Sequence, residues 1–82
     1  MTPGSRVTVY HAADCSLCAR ALEVASEAQA ELGFDLELVD IALDPELEAR
    51  FRTLLPVIEI DGEQAFTYFV DPDALRARFV GA

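Results

Sequence analysis

The chain is poor in residues that hold metals. It has two cysteines and one histidine, one short of the four Cys and His ligands of a structural zinc site, so zinc would need a carboxylate or a second chain. Basic residues are scarce too: six, all arginine, face fifteen acids and leave a formal charge of -9. That balance excludes nucleic acid as a partner, because affinity for it rests on phosphates neutralised by Lys and Arg. It also repels small anions at long range, although a local basic cluster overrides this within a Debye length. No apolar run approaches the ~20 residues that span a bilayer, and Met1 to Arg6 lacks the apolar core of a signal peptide. These absences predict a cytoplasmic protein, monomeric, with no membrane partner. Nor is there length for two cores: 82 residues, 52% of them hydrophobic, fit one packed domain over residues 1–82.

What chemistry the chain does carry is gathered in Cys15-Ser16-Leu17-Cys18. In a reducing compartment a CxxC pair is more often catalytic or metal-binding than structural. Upstream, residues 6 to 10 alternate polar and apolar as a strand does. Downstream, Leu17, Ala21, Leu22, Val24, Ala25, Ala28 and Leu32 recur at helical intervals, which predicts a helix over residues 16 to 32 closed by a left-handed Gly33. Cys15 then sits near a helix N-terminus, where unpaired N–H groups and the helix dipole favour an anion, so its thiol is expected to ionise more readily than a free one. Cys18, within the first turn, can attack a mixed disulfide formed by Cys15. Two other readings stay open: half of a metal site, and a structural disulfide, which would close a very short loop and stabilise little. Asp14, in the loop His11-Ala12-Ala13-Asp14, is a candidate helix cap. Its charge also opposes a second anion at Cys15.

The remaining chain reads as scaffold. Phe34 to Asp40 alternates apolar and acidic residues, a strand with one wet face, and two strands joined by a helix should run parallel. Asp44-Pro45-Glu46 and Asp71-Pro72-Asp73 share one grammar: an acid to cap, proline in the first turn, and another acid near the positive dipole end. Each predicts a short helix, buried through Leu47 with Phe51 and Leu75 with Phe79, and Arg50 and Arg52 end the first of them. Residues 57 to 60, Asp61-Gly62 and residues 63 to 69 predict a hairpin with a tight primed turn. Pro56 precedes its first strand, and local frequency alone makes its peptide bond trans.

In this order the elements resemble the thioredoxin superfamily, most closely its short glutaredoxin-like members. The match rests on Val7-Thr8-Val9-Tyr10 before the CxxC pair and on Leu55-Pro56-Val57-Ile58 with Asp61-Gly62. The resemblance implies an α/β fold, β-α-β-α-β-β-α, with a four-stranded mixed sheet in the order 2-1-3-4 and three helices. It implies a cis Leu55-Pro56 bond facing the CxxC, Cys15 as nucleophile, Cys18 as resolving thiol, and Leu55 and Pro56 as a substrate-binding corner that pairs with an extended chain. The activity implied is thiol–disulfide exchange with a disulfide-bearing protein, the protein being reduced in turn by a thioredoxin-reductase or glutathione system. No cofactor or metal is implied. As a co-substrate glutathione would have to bind without the Pro-Tyr dipeptide, the basic residue before the cysteines and the Gly-Gly element of glutathione-using members, all three of which are absent. Ser16-Leu17, Ala13-Asp14 and Val70-Asp71-Pro72-Asp73 stand in their places. His11, Asp14 and Arg52 are auxiliary candidates. The alternatives are a redox-inert binding or adaptor domain on the same fold, and zinc or iron–sulfur binding through the CxxC.

Overall fold

The computed structural model describes residues 5–80. The loose lead-in expected at residues 1 to 5 falls, Ser5 excepted, outside the described residues. The first strand, β1 (Arg6–His11), buries Val7 and Val9 completely on one face. It is central to a four-stranded sheet in the order β2-β1-β3-β4. Its neighbours are β2 (Asp35–Asp40), which is parallel, and β3 (Val57–Ile60), which is antiparallel and continues into antiparallel β4 (Glu63–Thr67). The expected fold class and strand order are both found.

Helix α1 (Ser16–Leu32) has the predicted bounds, with Gly33 at φ 80 as its left-handed C-cap. Cys18, Ala21, Val24, Ala25 and Ala28 form its buried stripe at helical spacing. Leu17, expected among the inward residues, is instead 51% exposed. One step ahead of Cys18 on the helix it falls about 100° off that stripe. Phe34 belongs to the turn before β2 and stacks on Phe79 with ring centroids 4.9 Å apart. Helix α3 (Pro72–Val80) thereby joins α1 over the face of Val7, Val9 and Ile58, and Leu75 is fully buried there. Such burial contributes about 1.5–3 kcal/mol for a leucine.

The other face carries α2 (Pro45–Phe51), whose Phe51 packs with Ala12, Ile41, Leu55 and Val57, its ring 4.6 Å from that of Tyr10. The caps read in the sequence are present: Asp44 Oδ1 accepts from the amides of Glu46 at 2.9 Å and Leu47 at 3.4 Å, and Asp71 Oδ1 accepts from the Asp73 amide at 3.0 Å. A short 3-10 helix, Ile41–Leu43, was not foreseen. Asp40 starts it by accepting from the Ala42 amide at 2.9 Å, too local a device to show as periodicity. Among the described residues no helix is long and apolar enough to cross a membrane.

Asp61 and Gly62 take φ 52 and 87, the paired positive values of the primed turn. The second hairpin strand is shorter than expected and ends at Thr67, because Tyr68 turns out of the ladder at φ 64 and gives its amide to the carbonyls of Leu54 and Pro56 at 3.3 and 3.0 Å. Tyr68 and Phe69 are left exposed, and the partly buried Phe66 packs against the core. Asp61 also ties the turn to the central strand. Its Oδ1 accepts from the Arg6 amide and its own amide donates to the Arg6 carbonyl, each at 2.9 Å. Asp61→Ala, losing the acceptor and straining a positive φ, is expected to cost about 1–3 kcal/mol. Asp61→Asn should cost much less. Urea denaturation midpoints of the two variants check this.

Candidate functional site

The sheet gathers the site at one end. Tyr10 pairs with Val57 across antiparallel strands, so the chain leaving β1 toward Cys15 and the chain entering β3 from Leu55 emerge together. His11 is the last residue of β1, in register with Asp40, and the turn to the helix holds Ala12, Ala13 and Asp14. The Cys15 amide donates to the Ala12 carbonyl at 3.3 Å, and Cys15, in extended conformation at φ -113 and ψ 108, becomes the N-cap of α1. Its Sγ accepts from the Cys18 amide at 3.2 Å. Asp14 does not cap the helix, contrary to expectation. The position one residue on is the one from which a side chain reaches the free first-turn amides, and a cysteine occupies it.

The two thiols are free and differ in environment: Cys15 is half-buried, and Cys18 is 1% exposed among Ala12, Ile41 and Val57. Burial, followed by its contact with Cys15, pushes the Cys18 thiol up from 9.0 to about 12. Cys15 opens into a cleft of about 310 Å3 bounded by Asp14, Leu17, Arg52, Thr53 and Leu55. The Leu55-Pro56 peptide bond is cis, as the resemblance implied and against the local frequency of trans. Both residues are buried, with Leu55 bordering the cleft beside Cys15.

Of the auxiliary candidates, the structure brings two together. Arg52, the C-cap of α2, reaches across to Asp14, with Nη1 3.1 Å from Oδ1 and 3.4 Å from Oδ2, while Nη2 is 3.1 Å from Glu48 Oε1. Glu48 and then Asp14 hold the guanidinium proton more tightly than usual. His11 does not border the cleft of Cys15. Arg50 lies over the Phe51 ring at 4.9 Å, away from the thiols' cleft. A larger open groove, about 540 Å3, runs between the 3-10 helix and α2 past Ala42, Pro45 and Ala49, and meets the thiol cleft only at Arg52. It contains neither cysteine. Among the described residues no group of three or more His, Cys, Asp or Glu is arranged to hold a metal ion. Thr53 and the outward Leu17 escaped the sequence reading. Thr53 has no periodic signal and the helical period pointed Leu17 inward, whereas the approach of two distant loops sets both at the cleft.

The model of the glutaredoxin-like domain family (DUF836) matches residues 6–79. An uncharacterized protein of Mycobacterium tuberculosis is 35% identical over 77 residues, covering 88% of this chain and 79% of that protein. Among solved structures, a structural-genomics target protein from X. campestris is 29% identical with a TM-score of 0.74, over 93% of this chain and 97% of its own. Thioredoxin-2 of a malaria parasite shares the fold at 21% identity, with a TM-score of 0.77 over 100% of this chain and 86% of its own. The fold is thioredoxin-like, with a CxxC pair at the start of its first helix.

The raised Cys18 thiol has a thermodynamic consequence. Below about pH 9 the thiol is protonated whether the chain is folded or not, and above it the unfolded chain loses that proton first. Stability of the reduced protein should therefore fall as pH rises from about 9 toward 12. Tyr10, raised by burial and by Glu59, adds loss of the same sign at higher pH. Denaturation midpoints measured across this range should fall less steeply in Cys18→Ala than in the wild type.

Proposed function

Because the chain belongs to the glutaredoxin-like domain family, we propose that it is a small thiol–disulfide oxidoreductase acting in a reducing compartment such as the cytoplasm. The observation that carries this is the contact at the start of α1, where the Cys18 amide donates to Cys15 Sγ at 3.2 Å and Cys18 itself is buried one turn on. An N–H aimed at the half-exposed sulfur meets negative charge on it during attack. The buried sulfur is kept from competing for substrate.

The Cys15 thiolate attacks one sulfur of a substrate disulfide, forming a mixed disulfide and releasing the first substrate thiolate, which takes a proton. Cys18 then gives up its proton and attacks Cys15 Sγ, releasing the second substrate thiol and leaving a Cys15–Cys18 disulfide. Two electrons pass from protein to substrate. They return when an external thiol or dithiol, from a thioredoxin-reductase or glutathione system, reverses the two steps. The exchange requires no bound cofactor. Cys18 is neutral at physiological pH, and its burial against Cys15 supplies the proximity that makes the second step intramolecular.

The Leu55-Pro56 corner is the natural seat for the substrate chain. Leu55 borders the cleft, and no backbone hydrogen bond to it is found among the described residues, so its peptide groups suit an added extended strand. Cys15→Ser is expected to abolish reduction of a protein disulfide. Cys18→Ser should accumulate a mixed disulfide on Cys15, seen by mass spectrometry without reductant. Equal activity of both variants in a disulfide-reduction assay would reject the assigned roles.

A further inference from the structure

Among the described residues the thiol cleft is bordered by one basic side chain, Arg52, and that side chain is already engaged. Asp14 and Glu48 approach it at 3.1 Å each, so two carboxylates face one guanidinium and the cluster keeps one negative charge. Asp14 is covalently adjacent to Cys15, which fixes this carboxylate near the reacting sulfur whatever the substrate. Its side chain is 76% exposed, so the pair with Arg52 contributes little to holding the fold together. Its effect falls on what enters. A carboxylate on an incoming thiol must either displace Asp14 from Arg52 or stand beside uncompensated negative charge, on a chain whose formal charge is already -9.

We infer that Asp14, through its hold on Arg52, sets the substrate class of the cleft, admitting disulfides and thiols flanked by neutral or cationic groups and turning away small anionic thiols. The inference rests on the exchange reading above and decides which of its partners fits: a polypeptide disulfide with neutral or basic flanks rather than a small thiol bearing carboxylates. Asp14 is a positioning residue in this account, and the selectivity is negative in kind, an occupied cation in place of a missing pocket.

The test uses the full chain, oxidised to its Cys15–Cys18 disulfide, and follows its reduction by three probes: glutathione as the anionic thiol, 2-mercaptoethanol as the neutral one, and cysteamine as the cationic one. The readout is the glutathione-to-cysteamine ratio of second-order rate constants, compared between proteins. Comparison cancels both the intrinsic reactivity of each thiol and any change in Cys15 itself. Asp14→Asn should raise the ratio about fivefold, the upper range for one exposed charge pair. In an Arg52→Gln background the same substitution should raise it about twofold or less, since only the general loss of a charge remains. An unchanged ratio in Asp14→Asn, or an equal rise in both backgrounds, overturns the inference and leaves the exchange reading standing. Failure of 2-mercaptoethanol and cysteamine alike to reduce the wild-type disulfide is a separate result, and it overturns the exchange reading and the inference together.

Discussion

The start of α1 is the constraint on which the site depends. A helix opens with amides that have no partner within it, and something must accept from them. Here the acceptor is the sulfur of Cys15, which takes the Cys18 amide at 3.2 Å. Sulfur is a poorer acceptor than the oxygen of Ser or Asp, which are the usual residues at such a place. The chain therefore gives up part of a cap's stabilisation to hold a sulfur there. The helix tolerates this because its stability comes from elsewhere, from the buried stripe of Ala21, Val24, Ala25 and Ala28 and the capped Gly33 end. Cys18 is the first member of that stripe. One periodicity thus sets the helix on the sheet and puts the second thiol under cover, three residues from the first.

Charge acts on the site more than on the fold. The ion pairs among the described residues are exposed, with side chains from 40 to 88% accessible, and pairs of this kind are worth at most ~1 kcal/mol each. The core described above outweighs them. At the mouth of a cleft the same energies are large enough to rank competing partners, because discrimination requires only a difference between two affinities. An acidic chain that places the Arg52 guanidinium at its thiol cleft between two carboxylates has committed that cation to itself.

Features governed by neighbours in sequence were legible from it. The bounds of α1, the turn at Gly33, the caps at Asp44 and Asp71 and the positive φ pair at Asp61 and Gly62 all depend on residues within about one helical turn, and all are found. Features governed by distant partners were not. Asp14 looked like a cap because its tie to Arg52 crosses 38 residues of chain. Tyr68 looked like strand because nothing local reports that the carbonyls of Leu54 and Pro56 draw its amide away. The irregularity between Ile58 and Glu59, where β4 carries one extra residue between Phe66 and Gln64, has no pattern at all in the alternation around it. Leu55-Pro56 divides the two kinds of inference. The frequency of X–Pro bonds argued for trans, the order of whole elements for cis, and the larger pattern prevailed.

The convergence of the site follows from strand direction alone. The register pairs His11 with Asp40, Tyr10 with Val57, and Val57 with Thr67. The end of β1, the end of β2, the beginning of β3 and the end of β4 therefore share one edge of the sheet. The segments around Cys15 leave from that edge: the CxxC turn after β1, the 3-10 helix and α2 after β2, and the Leu55-Pro56 corner before β3, which Tyr68 after β4 ties down through the Leu54 and Pro56 carbonyls. All but α2 are only a few residues from a ladder position, which leaves little freedom in where their side chains arrive. A slip of β3 by one residue would exchange the faces of Val57 and Ile58 and carry Leu55 away from Cys15. The burial of Val57 beside Phe51 and of Ile58 against α1 and α3 forbids that slip. Two apolar clusters on opposite faces of one strand thus hold the corner against the thiol.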